Sequence, residues 1–157
     1  MKDQTLFAYL AGFLDGDGSI YVRLKPNKTY KYGFQVAPSV VFFQKNSAEW
    51  LLKEIQNRSG YGYLRYRNDG MIELTIGDRP SIKKILQEIL PFLIGKQKQA
   101  QLMLKVLDDS KQIASADDFL ALAKLIDQFG ELNYSKKRKI HTQVVYDYLI
   151  SKGILTP

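Results

Sequence analysis

The sequence predicts an α+β fold in the order helix, hairpin, helix, hairpin, helix, with further helices to the C-terminus. Three observations predict it. Hydrophobic spacing passes twice from a helical period to strict alternation and back before about residue 80. A turn signal, Asn68-Asp69-Gly70, separates the last two alternating runs. After about Arg79 the pattern is helical throughout. The 157 residues are 45% hydrophobic and 25% charged, and no linker is long enough to divide them. A single domain over 1–157 with one core is therefore expected.

Residues 5–16 form the first helix, with Leu6, Tyr9, Leu10 and Phe13 as its apolar stripe. Ala8, Gly12 and Gly16 make a second, smooth stripe at four-residue spacing. Such residues let another backbone approach closely, and Gly12 costs about 1 kcal/mol of helix propensity against alanine. The helix is thus expected to cross something tightly, its own copy being one option.

Residues 19–43 alternate. Ile20, Val22 and Leu24 oppose Tyr21, Arg23 and Lys25; after the turn-rich PNKTYKYG, Phe34, Val36, Val40 and Phe42 oppose Gln35, Ala37, Ser39 and Val41. Pro38 cannot donate to a ladder and predicts an edge or a bulge. SAEWLLKEIQNR (47–58) reads as the second helix, with Trp50, Leu51 and Ile55 buried and Ser59-Gly60 as its stop. In the second hairpin Leu64 and Tyr66 alternate with Tyr63, Arg65 and Arg67, and Ile72, Leu74 and Ile76 with Glu73 and Thr75. Pro80-Ser81 opens the third helix, which Pro91 should break. A helix follows over about 96–107, then one capped by Asp117 and ended by Gly130, and after the basic run SKKRK (135–139) a last helix near 141–152.

Charge is concentrated. Residues 19–67 hold nine bases (Arg23, Lys25, Lys28, Lys31, Lys45, Lys53, Arg58, Arg65, Arg67) against two acids, Glu49 and Glu54, a surplus of seven that equals the net +7 of the whole chain. A basic region beside a neutral remainder suggests a polyanion-binding surface. The faces of the two hairpins opposite their apolar residues carry Tyr21, Arg23, Lys25, Gln35, Arg65, Arg67, Glu73 and Thr75. These residue types donate to guanine, read adenine, accept from cytosine and neutralise phosphate, and a β-ribbon fits a major groove. A strand of about seven residues spans roughly 23 Å, or some seven base pairs. There is no cysteine, which excludes a disulfide framework and thiolate metal sites. The N-terminal MKDQTLFAYLAGF has neither the apolar core of a signal or membrane segment nor the Arg-rich look of a transit peptide.

LAGFLDGDGSI (10–20) resembles part of a calcium loop at first sight. With Asp15 and Asp17 at loop positions 3 and 5, positions 1 and 12 fall on Phe13 and Leu24, which cannot ligate; with Asp15 at position 1, the required glycine falls on Ile20. The EF-hand reading fails. The two aspartates instead end the first helix, where the dipole disfavours carboxylates by a few tenths to about 1 kcal/mol. A divalent cation resolves that conflict, drawn by the carboxylate and by the free carbonyls of the helix end. Mg²⁺ takes one or two carboxylates and completes its shell with water and phosphate. Asp17 beside a basic sheet is a plausible phosphodiester-cleaving site.

LAGFLDGDG (10–18) resembles the signature of the LAGLIDADG homing endonucleases, with conservative differences that include Phe13 and Gly16. The element order and the GKQKQA segment (95–100) resemble that family too, over essentially the whole chain. The resemblance implies the αββαββα homing-endonuclease fold with an antiparallel DNA-binding sheet and extra C-terminal helices. One motif per chain implies a homodimer with the motif helices packed at the two-fold axis through Ala8, Gly12, Asp15 and Gly16. Asp17 is implied as catalytic metal ligand with the Gly16 carbonyl beside it, Asp15 as mainly structural, and Gln44 and Lys96 as catalytic polar residues around the site, with Lys98 the competing lysine. A basic residue common four positions after Gln44 is Ala48 here, which puts part of a solvent network in doubt. DNA contacts are implied for Tyr21, Arg23, Lys25, Asn27, Tyr30, Gln35, Lys45, Arg65, Arg67, Glu73 and Thr75, and for Lys136 and Lys139 in a loop near the cleavage site. His141, the sole histidine, reads as surface or cap rather than general base.

The function implied is a site-specific, Mg²⁺-dependent double-strand DNA endonuclease acting as a homodimer on a long near-palindromic target, with Mn²⁺ or Ca²⁺ able to occupy the site. Two alternatives share the fold: a maturase that binds intron RNA, and a non-catalytic DNA-binding regulator. Asp17 argues against the last, and the basic strand face favours duplex DNA over RNA, whose major groove is too narrow to read. The implied setting is intracellular, with the gene in a chloroplast or mitochondrial intron.

Overall fold

The computed structural model describes residues 3–134 and 138–157. The element order is the expected one: α1 (Gln4–Asp17), β1 (Gly18–Pro26), β2 (Phe34–Lys45), α2 (Glu49–Ser59), β3 (Tyr63–Tyr66), β4 (Met71–Ile76), α3 (Arg79–Ile89), then α4 (Gln97–Asp109), α5 (Ala116–Asp127), α6 (Phe129–Leu132) and α7 (Thr142–Ser151). The four strands form one sheet in the order β1-β2-β4-β3. The chain divides into two compact units, Met1–Tyr21 with Pro38–Ala100, and Val22–Ala37 with Gln101–Pro157.

In the first unit the Asp3 carboxylate caps α1 by accepting from the Leu6 N–H (3.0 Å). The buried stripe of α1 is Leu6, Leu10 and Leu14 with Ala11; Tyr9 is 48% exposed and Phe13 half-buried, so the expected stripe is rotated by about one residue. On α2, Leu52 and Ile55 are buried, whereas Trp50 is 68% exposed. At 100° per residue Trp50 lies on the far side of the helix from Leu52, and helical geometry outranks its hydrophobicity. Phe42, Leu74 and Leu64 form one cross-strand row, and Ile72 and Ile76 lie on the same face. Pro38 sits in β2 beyond the β2–β4 ladder, which begins at Val40↔Ile76. The 67–71 turn carries Gly70 at φ +79°. Asp78 caps α3 by accepting from the Ser81 N–H, and a 3₁₀ turn over Leu90–Phe92 ends the helical run at Pro91 as expected.

In the second unit Tyr32 stacks on Phe119 (5.3 Å between ring centroids), and Phe34 meets Tyr148 edge-on (5.2 Å). Gly33 has φ +82°, and a Cβ there would lie 2.2 Å from the Tyr148 ring, so the position admits only glycine. The N-cap of α5 is Ser115, in a capping box with Asp118, and not Asp117, which lies in the first turn. Gly130 does not end a helix but lies inside the short α6.

Candidate active site and nucleic-acid interface

The end of α1 places the two motif aspartates in opposite circumstances. Asp15 is half-buried, and its carboxylate accepts from three successive amides ahead of α4: Ile94 (2.8 Å), Gly95 (3.0 Å) and Lys96 (2.9 Å). The Lys96 ammonium reaches back to the Asp15 carbonyl at 2.7 Å. Partial burial alone would raise the Asp15 pKa; the three amides and the Lys96 charge outweigh it and hold the carboxyl below the usual carboxylate range. The lysine also answers a helix-end carbonyl that α1, lacking a basic residue in its last turn, would leave open.

Asp17, two residues on, is exposed, and its Oδ2 accepts from the Gln44 amide at 3.5 Å, a long contact. Gln44 pairs with Ile72 in the β2–β4 register. It therefore lies on the helix-bearing face, beside the end of α1, while Lys45 and Phe43 point to the opposite face. Gly18 makes the junction possible: a Cβ there would meet Leu14 Cα and O at 2.8 Å, so the strand leaves the helix against its own last turn. Gly12 and Gly16 have nothing within 4 Å of a built Cβ, and Ala8 is exposed, so the small-residue stripe is open within one chain.

Among the described residues no group of three or more His, Cys, Asp or Glu could form a metal cage. One exposed carboxylate and the helix-end carbonyl of Gly16 are two hard oxygen donors. That set fits a cation that completes its shell from water and phosphate, as Mg²⁺ does, and does not suit a structural zinc site. Ala48 brings no charge, and the neighbouring Glu49 is neutralised by Lys53 (2.6 Å) and accepts from the Tyr66 hydroxyl. Nothing in the sequence pattern had marked that Glu49–Lys53–Tyr66 cluster.

On the opposite face of β3–β4, Arg65 and Glu73 share a cross-strand row. Glu73 is only 6% exposed; its two oxygens take Arg67 at 3.0 Å and Arg65 at 3.4 Å, and Arg67 also meets Asp69 at 2.7 Å. Glu73 thus holds two arginines rather than standing free as an acceptor for cytosine. Thr75 is buried between Val41 and Tyr63 in its row, and its hydroxyl has no partner. Lys45 is exposed.

In the second unit Arg23 and Lys25 are exposed along β1, and Tyr21 of the first unit and Gln35 on β2 are half-buried. Asn27 shapes the hairpin tip, its side-chain oxygen accepting from the Thr29 N–H (3.0 Å) and hydroxyl (2.7 Å). Tyr30 is 46% exposed at the same tip. Lys139 is exposed, and Lys136 lies outside the described residues. His141 takes the N-cap position of α7 without a side-chain capping bond.

An open aspartate thus ends a helix beside β2 of an antiparallel sheet, the arrangement of an endonuclease class that the comparison with known proteins identifies. The chain matches the LAGLIDADG endonuclease model over residues 10–107, and it belongs to that family. It is 37% identical to the DNA endonuclease I-CreI of Chlamydomonas reinhardtii over 144 residues, 91% of this chain and 88% of that one. It is 34% identical to the DNA endonuclease I-CvuI of Chlorella vulgaris over 151 residues, 96% of this chain and 94% of that one. A crystal structure of I-CvuI, in complex with its target in the presence of Ca, superposes with a TM-score of 0.92 at 34% identity over 98% of both chains. The archaeal intron-encoded homing endonuclease I-Vdi141I, complexed with DNA, shares the fold at a TM-score of 0.85 and 17% identity, covering 98% of this chain and all of that one.

Proposed function

We propose that this LAGLIDADG endonuclease hydrolyses phosphodiester bonds in double-stranded DNA at a long, near-palindromic site, as a homodimer and with a divalent cation, Mg²⁺ in the first instance. The observation that carries the reading is Asp17: an exposed carboxylate at the C-terminal end of a helix, where its own fold disfavours it. Relatives of nearly the same length are DNA endonucleases, one of them crystallised with its target and Ca.

Asp17 and the Gly16 carbonyl are the groups that would hold the cation, which when bound supplies Lewis-acid stabilisation of the attacking and leaving oxygens. Gln44 orients the Asp17 carboxylate and leaves its own amide oxygen to accept from a water. Lys96, fixed on the Asp15 carbonyl, adds positive charge to the helix end and so attracts a scissile phosphate. The hairpin faces supply recognition: Tyr21, Arg23, Lys25, Asn27, Tyr30 and Gln35 from one, Lys45, Arg65, Arg67 and Glu73 from the strands around the other, with Lys136 and Lys139 on phosphate, while Thr75, its hydroxyl buried, stays beneath that face. Glu73 acts there through Arg65 and Arg67. Ala8, Gly12 and Gly16 pair with a second copy, with Asp15 bracing the helix end from within its own chain. Residues 1–157 act as one endonuclease domain, in a chloroplast or mitochondrial intron setting; among the described residues no helix is long and apolar enough to cross a membrane.

The test is cleavage of a randomised duplex library with Mg²⁺ and with EDTA, wild type beside Asp17→Asn. Discrete products that require both Mg²⁺ and Asp17 are expected, and the sequenced ends give the target and its symmetry. Products that persist in EDTA or in the Asp17→Asn variant would overturn the metal-site assignment.

A further inference from the structure

The stretch 138–142 that leads into α7 is held at both ends within the second unit. At one end the Arg138 guanidinium donates to the Val22 carbonyl of β1 at 2.8 Å. At the other, Asp127, the last residue of α5, accepts from the Thr142 N–H (3.0 Å) and the Thr142 hydroxyl (2.5 Å) through the same oxygen. Between the anchors stand Lys139, exposed, and Ile140, which lines an apolar groove with Phe34, Val144 and Tyr148.

The Asp127 contact is unusual in its placement. A carboxylate at the C-terminus of α5 opposes that helix's dipole, yet it meets the N-terminus of α7, where negative charge is favoured. His141 occupies the N-cap of α7 but gives no capping bond, so Asp127 caps that helix from another element. Its second oxygen is buried without a hydrogen-bond partner, as is the Nη1 of Arg138. Burial lowers the Arg138 pKa, and the charge of Asp127 opposes that shift, so the two groups attract one another. His141 Nδ1 stands 3.9 Å from the same Asp127 oxygen.

We propose that Asp127 is a positioning residue for DNA binding: by capping α7 and attracting Arg138 it fixes the 138–142 segment so that Lys139 meets a backbone phosphate. The assignment rests on the proposed phosphate contact of Lys139. Without the anchors, the conformational-entropy cost of placing Lys139 exceeds what one exposed phosphate contact returns, so the contact is lost and not merely weakened.

The experiment is a salt titration of target-duplex binding in Ca²⁺ with the full-length chain, for wild type, Lys139→Ala, Asp127→Ala and the double variant, each with a thermal melt. Each lost phosphate contact makes the slope of log K against log salt shallower by about 0.9 and weakens binding roughly tenfold near 0.1 M salt. Lys139→Ala takes one contact from each protomer of the proposed homodimer and is expected to show that loss twice over, a slope shallower by about 1.8. Asp127→Ala should reproduce it, and the double variant should lose no more than Lys139→Ala alone. Asp127→Asn, which keeps an acceptor for Thr142 but drops the charge that attracts Arg138, should recover part of the affinity. Where Asp127→Ala fails to fold, Thr142→Val removes one of the two anchoring bonds and should give the same shallower slope in milder form. An unchanged slope in the Asp127 or Thr142 variant, or additive losses in the double variant, would overturn the proposal by reducing Asp127 to a helix cap. An unchanged slope in Lys139→Ala would overturn it at its premise, since no phosphate contact would be there to position.

Discussion

Asp15 and Asp17 lie two residues apart on one helix end and do opposite work. The Asp15 carboxylate is filled by three amides, and the Lys96 ammonium covers the carbonyl of the same residue. Asp17 has one long contact and solvent. The difference teaches how a helix end can carry two acids against its dipole. One is neutralised by its own chain and locks the geometry; the other stays open, and on the function proposed above a cation meets its electrostatic demand.

The largest expected effect of breaking this arrangement falls on the open member. Asp17→Asn should lower the rate of strand cleavage by about 10³-fold or more, since metal-assisted charge stabilisation is worth several kcal/mol. Target binding, read by gel shift in Ca²⁺, should change little. Next is the stripe around the pair. Gly12 is exposed with nothing within 4 Å of an added Cβ, so Gly12→Leu should be tolerated within one chain, but it would block a close crossing. Sedimentation should show dimer converting to folded monomer, and an unchanged profile would refute the close-crossing account of the stripe. Gly18→Ala makes the contrast, since its Cβ would meet Leu14 backbone at 2.8 Å; it should destabilise the chain itself by about 1–3 kcal/mol in a urea melt.

Smaller effects belong to the filled member. Asp15→Ala removes the acceptor for three amides, and with solvent screening should cost about 1–2 kcal/mol. The sign of its pH dependence follows from the lowered pKa. The stability Asp15 contributes is full above the unfolded value near about 4 and is lost as pH falls through the lower folded value. Wild type should therefore lose stability below about pH 4 more steeply than Asp15→Asn does. Gln44→Ala, which removes one long hydrogen bond to Asp17, should reduce cleavage by roughly tenfold or less while leaving the melting temperature unchanged.

The elements and the helix-end site were legible because each rests on a local signal: period changes, Asn68-Asp69-Gly70, Pro91, and paired aspartates among glycines. What the sequence hid were long-range partners. Asp15 bonds to residues 94–96, nearly eighty positions away, and no spacing announces that. Glu73 and Thr75 alternate correctly for the open sheet face, but alternation assigns a face and not a depth; both are buried, Glu73 with Arg65 and Arg67 bonded to it. Trp50 has the bulk of a core residue, but its angle on α2 turns it to solvent, and Asp117 yields the cap to Ser115, two residues earlier, with Asp118 completing the box. Asp127 and Thr142 give no sequence sign of meeting.

The central claim is that the two aspartates divide structure from chemistry, and the direct measurement is Asp15→Asn and Asp17→Asn side by side, each with a urea melt and a single-turnover cleavage assay in Mg²⁺. The account predicts that Asp15→Asn lowers the melting midpoint and keeps cleavage while folded, whereas Asp17→Asn keeps the midpoint and loses cleavage. An Asp17→Asn variant that still cuts, or an Asp15→Asn variant that melts like wild type yet cannot cut, would contradict it.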